Sequence, residues 1–154
     1  MRARAVRKMI LLALLFTMPM IPVWAMGADS LMLVTPDEAA RPESRATIDE
    51  LNDGPTIEIK SPENGVTLAG PFRLYVEVIK KSGGSDINME SLTVTYLKLI
   101  SVDITDRVRK YITGTKLDVP DADFPTGNHR ALISIEDVDG KVSSKLFYVT
   151  VTKP

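Results

Sequence analysis

Residues 127–151, GNHRALISIEDVDGKVSSKLFYVTV, decide the fold. On the first half Ala131, Ile133 and Ile135 alternate with Arg130, Ser134 and Glu136. On the second half Phe147, Val149 and Val151 alternate with polar or smaller apolar neighbours. Successive side chains of a strand point to opposite faces, so each run buries one face and turns the other to water or a partner. Asp139-Gly140 between them is a strong hairpin signal, because both residues tolerate the positive φ of a tight turn. A lone hairpin is marginal in water, so the chain upstream has to supply an opposing sheet.

Working outward, the same period recurs. Thr56–Lys60 alternates and reads as a first strand, followed by a Ser61-Pro62-Glu63-Asn64-Gly65 turn. Pro71–Ile79 places Phe72, Leu74, Val76 and Val78 on one face, and Ser82–Ser85 is a loop. Ser91–Leu99 sets Leu92, Val94 and Tyr96 against Thr93, Thr95 and Leu97. Thr105 starts a brief helical turn, and one or two weaker strands are expected between Arg109 and Val119. No helical period lasts more than a few residues. The expectation is an all-β protein, an antiparallel β-sandwich of about seven strands over residues 55–154.

Several of these residues carry a resemblance. Pro125-Thr126-Gly127-Asn128-His129 leads into a strand, Asp137–Gly140 makes a turn, and Phe147–Val151 closes the chain; the opening IEIKSPENG is residues 57–65. In that order they resemble the Ig-like domains of exported bacterial proteins, of the cadherin and fibronectin III kind. The resemblance covers the whole presumed domain and implies an Ig-like sandwich outside the cytoplasm. It implies no single function, since such domains serve as spacers, adhesion modules and binding units.

The start of the chain agrees with export. Arg2, Arg4, Arg7 and Lys8 precede the apolar run Met9–Met18, and Val23-Trp24-Ala25 offers small residues where a signal peptidase reads. The run is short for a membrane span and is broken by Pro19 and Pro22. Residues 1–25 are therefore expected to be removed, leaving a periplasmic or secreted monomer with no stable membrane anchor. The chain carries 19 Lys+Arg and 20 Asp+Glu; four of the bases and none of the acids lie in 1–25, so the remainder has 15 against 20 and a formal charge of −5. That balance disfavours nucleic acid as a partner. Cysteine is absent, which rules out disulfides, thiolate nucleophiles and cysteine-ligated zinc.

Residues 26–54 read as a leader. Thr35-Pro36-Asp37-Glu38 has the form of an N-cap, a first-turn proline and a capping-box glutamate, with Pro42 limiting the helix. Leu31-Met32-Leu33-Val34 is an apolar island before it. So short a helix is unstable alone, which makes this stretch a linker or a docking peptide.

Candidate chemistry is sparse. His129 is the only histidine, stands at a strand start, and has no Gly-x-Ser-x-Gly elbow before it, so an imidazole bonded to a loop carbonyl is expected rather than a triad. No enzyme activity and no cofactor are expected. Calcium is the alternative: Asp121, Asp123, Asp137 and Asp139 would offer four carboxylates to a hard cation, rigidifying a cadherin-like structural module. The cadherin motifs Leu-Asp-Arg-Glu and Asp-x-Asn-Asp-Asn are missing, and Asp and Gly at these places also make turns. Arg107, Arg109 and Lys110 around Tyr111 read as a solvated ridge.

The outward face of the hairpin is the expected binding surface. With Ile133 and Ile135 inward, Leu132 points out, as do Leu146 and Tyr148 on the last strand and Leu97 on the third. Together they would form one apolar patch, covered by an envelope protein or saccharide, or by the leader's Leu31–Val34. N-terminal sequencing of the protein from the cell envelope should read Met-Gly-Ala-Asp, starting at Met26. A membrane-bound species that begins at Met1 or Arg2 would refute cleavage.

Overall fold

Two five-stranded sheets face each other across a shared apolar core in the computed structural model, which describes residues 30–153. The expected signal segment lies outside the described residues. The strands are β1 (Leu31–Met32), β2 (Thr56–Ser61), β3 (Thr67–Ala69), β4 (Phe72–Ile79), β5 (Ile87–Tyr96), β6 (Val102–Asp103), β7 (Ile112–Thr113), β8 (Lys116–Asp123), β9 (Gly127–Asp137) and β10 (Val142–Thr152). Two single-turn helices, α1 (Pro36–Ala39) and α2 (Thr105–Val108), lie between them. One sheet runs β1-β8-β4-β2 with β7 on β8, and the other runs β3-β10-β9-β5-β6. The fold is an all-β sandwich. Seven strands have three residues or more, as the alternation predicts, and the other three are two-residue pieces.

The predicted inward positions form the core. Ala131, Ile133 and Ile135 of β9 and Phe147, Val149 and Val151 of β10 are buried, facing Leu74, Val76 and Val78 of β4 and Leu117 and Val119 of β8. Leu92, Val94 and Tyr96 of β5 complete the layer. Each such side chain contributes roughly 1.5–3 kcal/mol on leaving water, and with no cysteine these contacts carry the fold.

β9 and β10 pair without a break from Gly127↔Val151 to Glu136↔Val142. The buried Asp137 shapes their turn: its Oδ1 accepts the amides of Asp139 (3.0 Å) and Lys141 (2.9 Å), while Gly140 takes φ +77. The chain also changes sheets at Ser61–Val66, so that β2 and β3, close in sequence, belong to opposite sheets and β3 runs parallel to β10.

Residues 30–54 have a place in the sandwich instead of hanging free. Leu31 and Met32 pair in parallel with Ala122 and Asp123 of β8, and Leu33 and Val34 are fully buried in the core. The apolar island therefore joins the sheet opposite to the outward patch and does not cover that patch. The capping box forms as its residues predict, with Thr35 Oγ1 accepting from the Glu38 amide (3.3 Å) and Glu38 Oε2 from the Thr35 amide (2.9 Å). Tertiary contact supplies what so short a helix lacks: Arg107 of α2 donates to both Glu38 oxygens (2.7 and 2.8 Å) and to the Leu33 carbonyl (2.7 Å). The solvated ridge expected at Arg107 is thus, at that residue, a clamp. Arg109, exposed, reaches only Asp106 at 3.5 Å.

The Arg107 guanidinium, opposed by burial and aided by the Thr35 hydrogen bonds, lowers the Glu38 carboxyl from 4.5 to about 2. A folded value below the unfolded one makes the carboxylate stabilising above about pH 4.5, with the gain lost as pH falls towards 2. Glu38→Gln should cost about 2 kcal/mol at pH 7 after allowance for the partial exposure of Arg107. Melting curves of the two proteins should converge between pH 4.5 and 2. A gap unchanged at the acid end would mean that the ion pair is not its source.

Candidate functional site

The outer face of the β9–β10 pair is built by the register. Leu132 stands directly opposite Leu146 and Arg130 opposite Tyr148, with Thr95 of β5 beside Leu132. Leu132 and Leu146 are half-buried, and Tyr148 is 46% exposed. Leu132, Leu146 and Tyr148 therefore share the face. Leu97 continues the register of β5 past Tyr96, its amide donating to the Arg130 carbonyl at 2.8 Å, but it is 5% exposed and so adds no open surface to the patch. The next residue, Lys98, is 3% exposed, paired with Glu43 and 5.4 Å from the Tyr96 ring centroid.

A different part of the leader reaches this face. Ser44 gives its carbonyl to Arg130 Nη1 (3.3 Å), and Glu50 Oε1 accepts the Leu146 amide (2.8 Å) while Oε2 meets Lys145 Nζ (3.0 Å). Leu51 then exchanges hydrogen bonds with Ser144, its amide to the hydroxyl (2.8 Å) and its carbonyl from the amide (2.9 Å). Between these anchors the one half-buried aliphatic of the chain is Ile48. Burial of Glu50 acts against its ionisation, yet the Leu146 amide and Lys145 outweigh it and lower its pKa.

Past the strap, the edge of β10 is closed by the Glu63–Val66 turn. Asn64 stands in for a peptide group: its Nδ2 donates to the Leu146 carbonyl (2.8 Å) and its Oδ1 accepts the Tyr148 amide (2.8 Å). The Gly65 amide donates to the Tyr148 carbonyl (2.8 Å), and Thr150 donates to Val66 O (3.0 Å). Gly65 has φ +84, and a β-carbon there would lie 2.6 Å from Tyr148 Cε2, so the tyrosine ring rests on glycine backbone. This platform borders an open groove of about 370 Å³ lined by Asn128, Arg130, Leu146, Tyr148 and Thr150. The Thr150 hydroxyl donates to Asn128 Oδ1 (2.8 Å), which leaves the exposed Asn128 amide nitrogen facing no acceptor among the described residues.

His129 underlies the same end. It is 3% exposed, with Nε2 2.6 Å from the Pro125 carbonyl and Nδ1 2.9 Å from the Tyr96 hydroxyl. A carbonyl only accepts, so Nε2 carries the proton and Nδ1 accepts from the tyrosine. Burial lowers its pKa, the Pro125 bond opposing, and raises that of Tyr96. The loop carbonyl expected from the sequence is thus its partner, and both nitrogens are occupied.

The four candidate calcium ligands do not meet. Asp121 and Asp123 close β8 near Pro125 and His129. Asp137 is eight residues farther along β9, roughly 25 Å away at a strand's rise per residue. Asp137 is engaged in its turn, and Asp139 accepts from the Ser85 hydroxyl. Among the described residues no three acidic or histidine side chains converge on one point. Alternation along single segments brought these pairs to notice, but it carries no information on the distance between the segments.

No family model matches the chain, and no curated protein does. Among solved structures it is similar to the endo-β-1,4-mannanase from Thermotoga petrophila, at 13% identity and TM-score 0.45 over 71% of this chain. The match spans about a fifth of that enzyme, 21% of its length. It is also similar to Bacteroides ovatus SGBP-B, solved in complex with a mixed-linkage heptasaccharide (16% identity, TM-score 0.38, 67% of this chain and 25% of that one). A third is the PKD domain of the human receptor SorCS2 (12% identity, TM-score 0.36, 75% and 86%). Likenesses this distant say nothing of ligand or activity.

Gly65→Ala should destabilise the protein by about 1–3 kcal/mol, from the strained φ and the displaced ring together. Tyr148→Ala alone should cost under about 1 kcal/mol, its ring being half exposed. In the double variant the clash is gone and only the φ cost remains, so denaturant melts should show less than additive loss. Strict additivity would place the ring elsewhere.

Proposed function

We propose that this chain is an exported, non-catalytic binding module of the Ig-like kind, and that its ligand lies in the groove beside Tyr148. The split first strand, passing from β2 in one sheet to β3 alongside the last strand in the other, supports the Ig-like assignment. The observation that carries the functional reading is the Tyr148 ring, seated on Gly65 and left open to solvent between Asn128, Arg130 and Thr150. An aromatic face with amide, guanidinium and hydroxyl groups at its margin suits a ligand that has an apolar face and polar edges. A saccharide ring is the first such ligand and a polypeptide segment the second. The Tyr148 ring rests on the Gly65 backbone, Arg130 donates to the Ser44 carbonyl and Thr150 to Asn128, so little ordering is lost on binding.

Affinity electrophoresis through gels cast with individual plant and envelope polysaccharides tests this. The protein should be retarded by at least one of them, and Tyr148→Ala should weaken the retardation roughly tenfold while lowering the melting temperature by no more than about 4 °C. Retardation that survives Tyr148→Ala and Asn128→Ala would move the site off this face. No retardation by any polysaccharide would eliminate the saccharide and leave a polypeptide ligand for the groove.

A further inference from the structure

The loop between β5 and β6, residues 97–101, holds the two most exposed large aliphatic side chains among the described residues, Leu99 at 68% and Ile100 at 73%. They are neighbours in the chain, and the loop that presents them is fixed by two backbone contacts from outside and one hydrogen bond within. The Leu97 amide donates to the Arg130 carbonyl (2.8 Å), the Leu99 amide to the Pro42 carbonyl (2.8 Å), and the Ser101 hydroxyl to the Lys98 carbonyl (3.4 Å). Lys98 itself is buried and paired with Glu43. Such a loop cannot turn its aliphatics inward without breaking the anchors on either side of them. Exposed leucine and isoleucine side by side on a rigid projection are unusual unless something apolar receives them.

The charge around the tip indicates what does. Residues 41–45 lie against it through the Pro42–Leu99 and Glu43–Lys98 contacts. Of the acids near the tip, Glu38 pairs with Arg107 and Glu43 with Lys98, while Asp103, two residues past the loop, accepts the Thr105 amide and, like Asp37, has no basic partner among the described residues. Arg41 and Arg45 are exposed and have no carboxylate partner among the described residues. Arg41 and Arg45 flank Pro42 and Glu43, the two residues that touch this loop, so two unpaired guanidinium groups belong to the chain segment that lies against the apolar tip. Aliphatics to enter the acyl boundary and cations to meet headgroups are the two requirements of an interfacial membrane contact.

We propose that the 97–101 loop is a peripheral membrane contact, in which Leu99 and Ile100 insert into an anionic lipid surface and Arg41 and Arg45 bind its headgroup phosphates. A convex tip of two side chains is far smaller than the roughly 800 Å² per partner of a stable protein interface, whereas a fluid bilayer closes around it. The contact is reversible, because two aliphatics and two charges fall well short of a spanning segment. It is independent of the ligand proposed for the Tyr148 groove.

The test is sedimentation of the full chain, as recovered from its host, with vesicles of equimolar phosphatidylglycerol and phosphatidylcholine, or of phosphatidylcholine alone. All variants share the same N-terminus, so differences between them report the loop. The wild-type protein should bind the anionic vesicles at low salt. Leu99→Ser with Ile100→Ser should lose about 100-fold in partition, roughly tenfold for each aliphatic, with an unchanged melting temperature. Arg41→Gln and Arg45→Gln should each lose roughly 5-fold on anionic vesicles only. Ile100→Trp in a Trp24→Phe background leaves a single indole, whose emission should shift to the blue on the anionic vesicles. Equal binding by wild-type and the double serine variant would overturn the proposal. So would an indole shift that appears without lipid as protein concentration rises, which would assign the tip to a second copy of this chain. A shift produced only by a soluble protein fraction would likewise replace the membrane with a protein.

Discussion

An eleven-residue strand cannot leave one side of its backbone open without inviting another chain to pair with it. β10 is that strand here, bound to β9 on one side and short of a partner on the other, since β3 covers only Thr150–Thr152. Along the remaining length the edge is met by groups borrowed from elsewhere: Asp53 and Gly54 at Val142, Leu51 and Glu50 at Ser144 and Leu146, then the Asn64 side chain, then Gly65 and Val66. None of these partners is a strand. Edge closure thereby explains why the 50–52 segment, the 63–66 turn and the glycine beneath Tyr148 all lie where they do.

The same constraint determines where function can sit. The leucine pair in the middle of the outer face is half-covered, beside a strap held at Arg130 on one side and at Leu146 and Ser144 on the other. What stays open is the end of the face, where Gly65 of the turn supplies a flat support for Tyr148. Farther back the strap continues into α1, whose Glu38 is gripped by Arg107. A partly buried ion pair of this kind has to offset the desolvation of both charges, and the extra hydrogen bonds from Thr35 and to Leu33 are what make it favourable. Without that grip the helix has one turn and no reason to persist.

The period-two alternation made the sandwich legible, because side-chain direction in a strand is a local property and the core residues of β4, β5, β8, β9 and β10 could be named from it. The capping box was legible for the same reason, all of its atoms lying within four residues. The errors have one origin. Leu97 keeps the register of β5 opposite Arg130, yet it is 5% exposed, with the Pro42–Glu43 stretch held against the next two residues, Lys98 and Leu99. Asp137 was counted among metal ligands when its carboxylate bonds to two amides of its own turn. Ser44, Glu50 and Asn64 went unnoticed because a polar residue in a loop carries no sign of which distant backbone group it will satisfy. The Pro-Glu-Asn-Gly turn was visible as a turn, and only the closed edge of β10 gives its asparagine a purpose.

One consequence of the register links the groove and the loop tip. Tyr148 lies opposite Arg130, and the carbonyl of Arg130 takes the amide of Leu97, the first residue of the β5–β6 loop. Both features therefore occupy one end of the same sheet, while the Asp137–Lys141 turn lies at the far end of β9, about 25 Å off at a strand's rise per residue. A molecule resting on a lipid surface through Leu99 and Ile100 would hold the groove close to that surface, and its opposite end in solvent. A ligand presented at the membrane, by a chain or glycan that begins there, would then meet the groove more often than one in open solution. Held that way, even weak contacts in the groove would act at a high effective concentration, since the encounter is confined to a layer. A single exposed tyrosine with a few polar neighbours is a modest site for a free ligand and an adequate one for a tethered ligand.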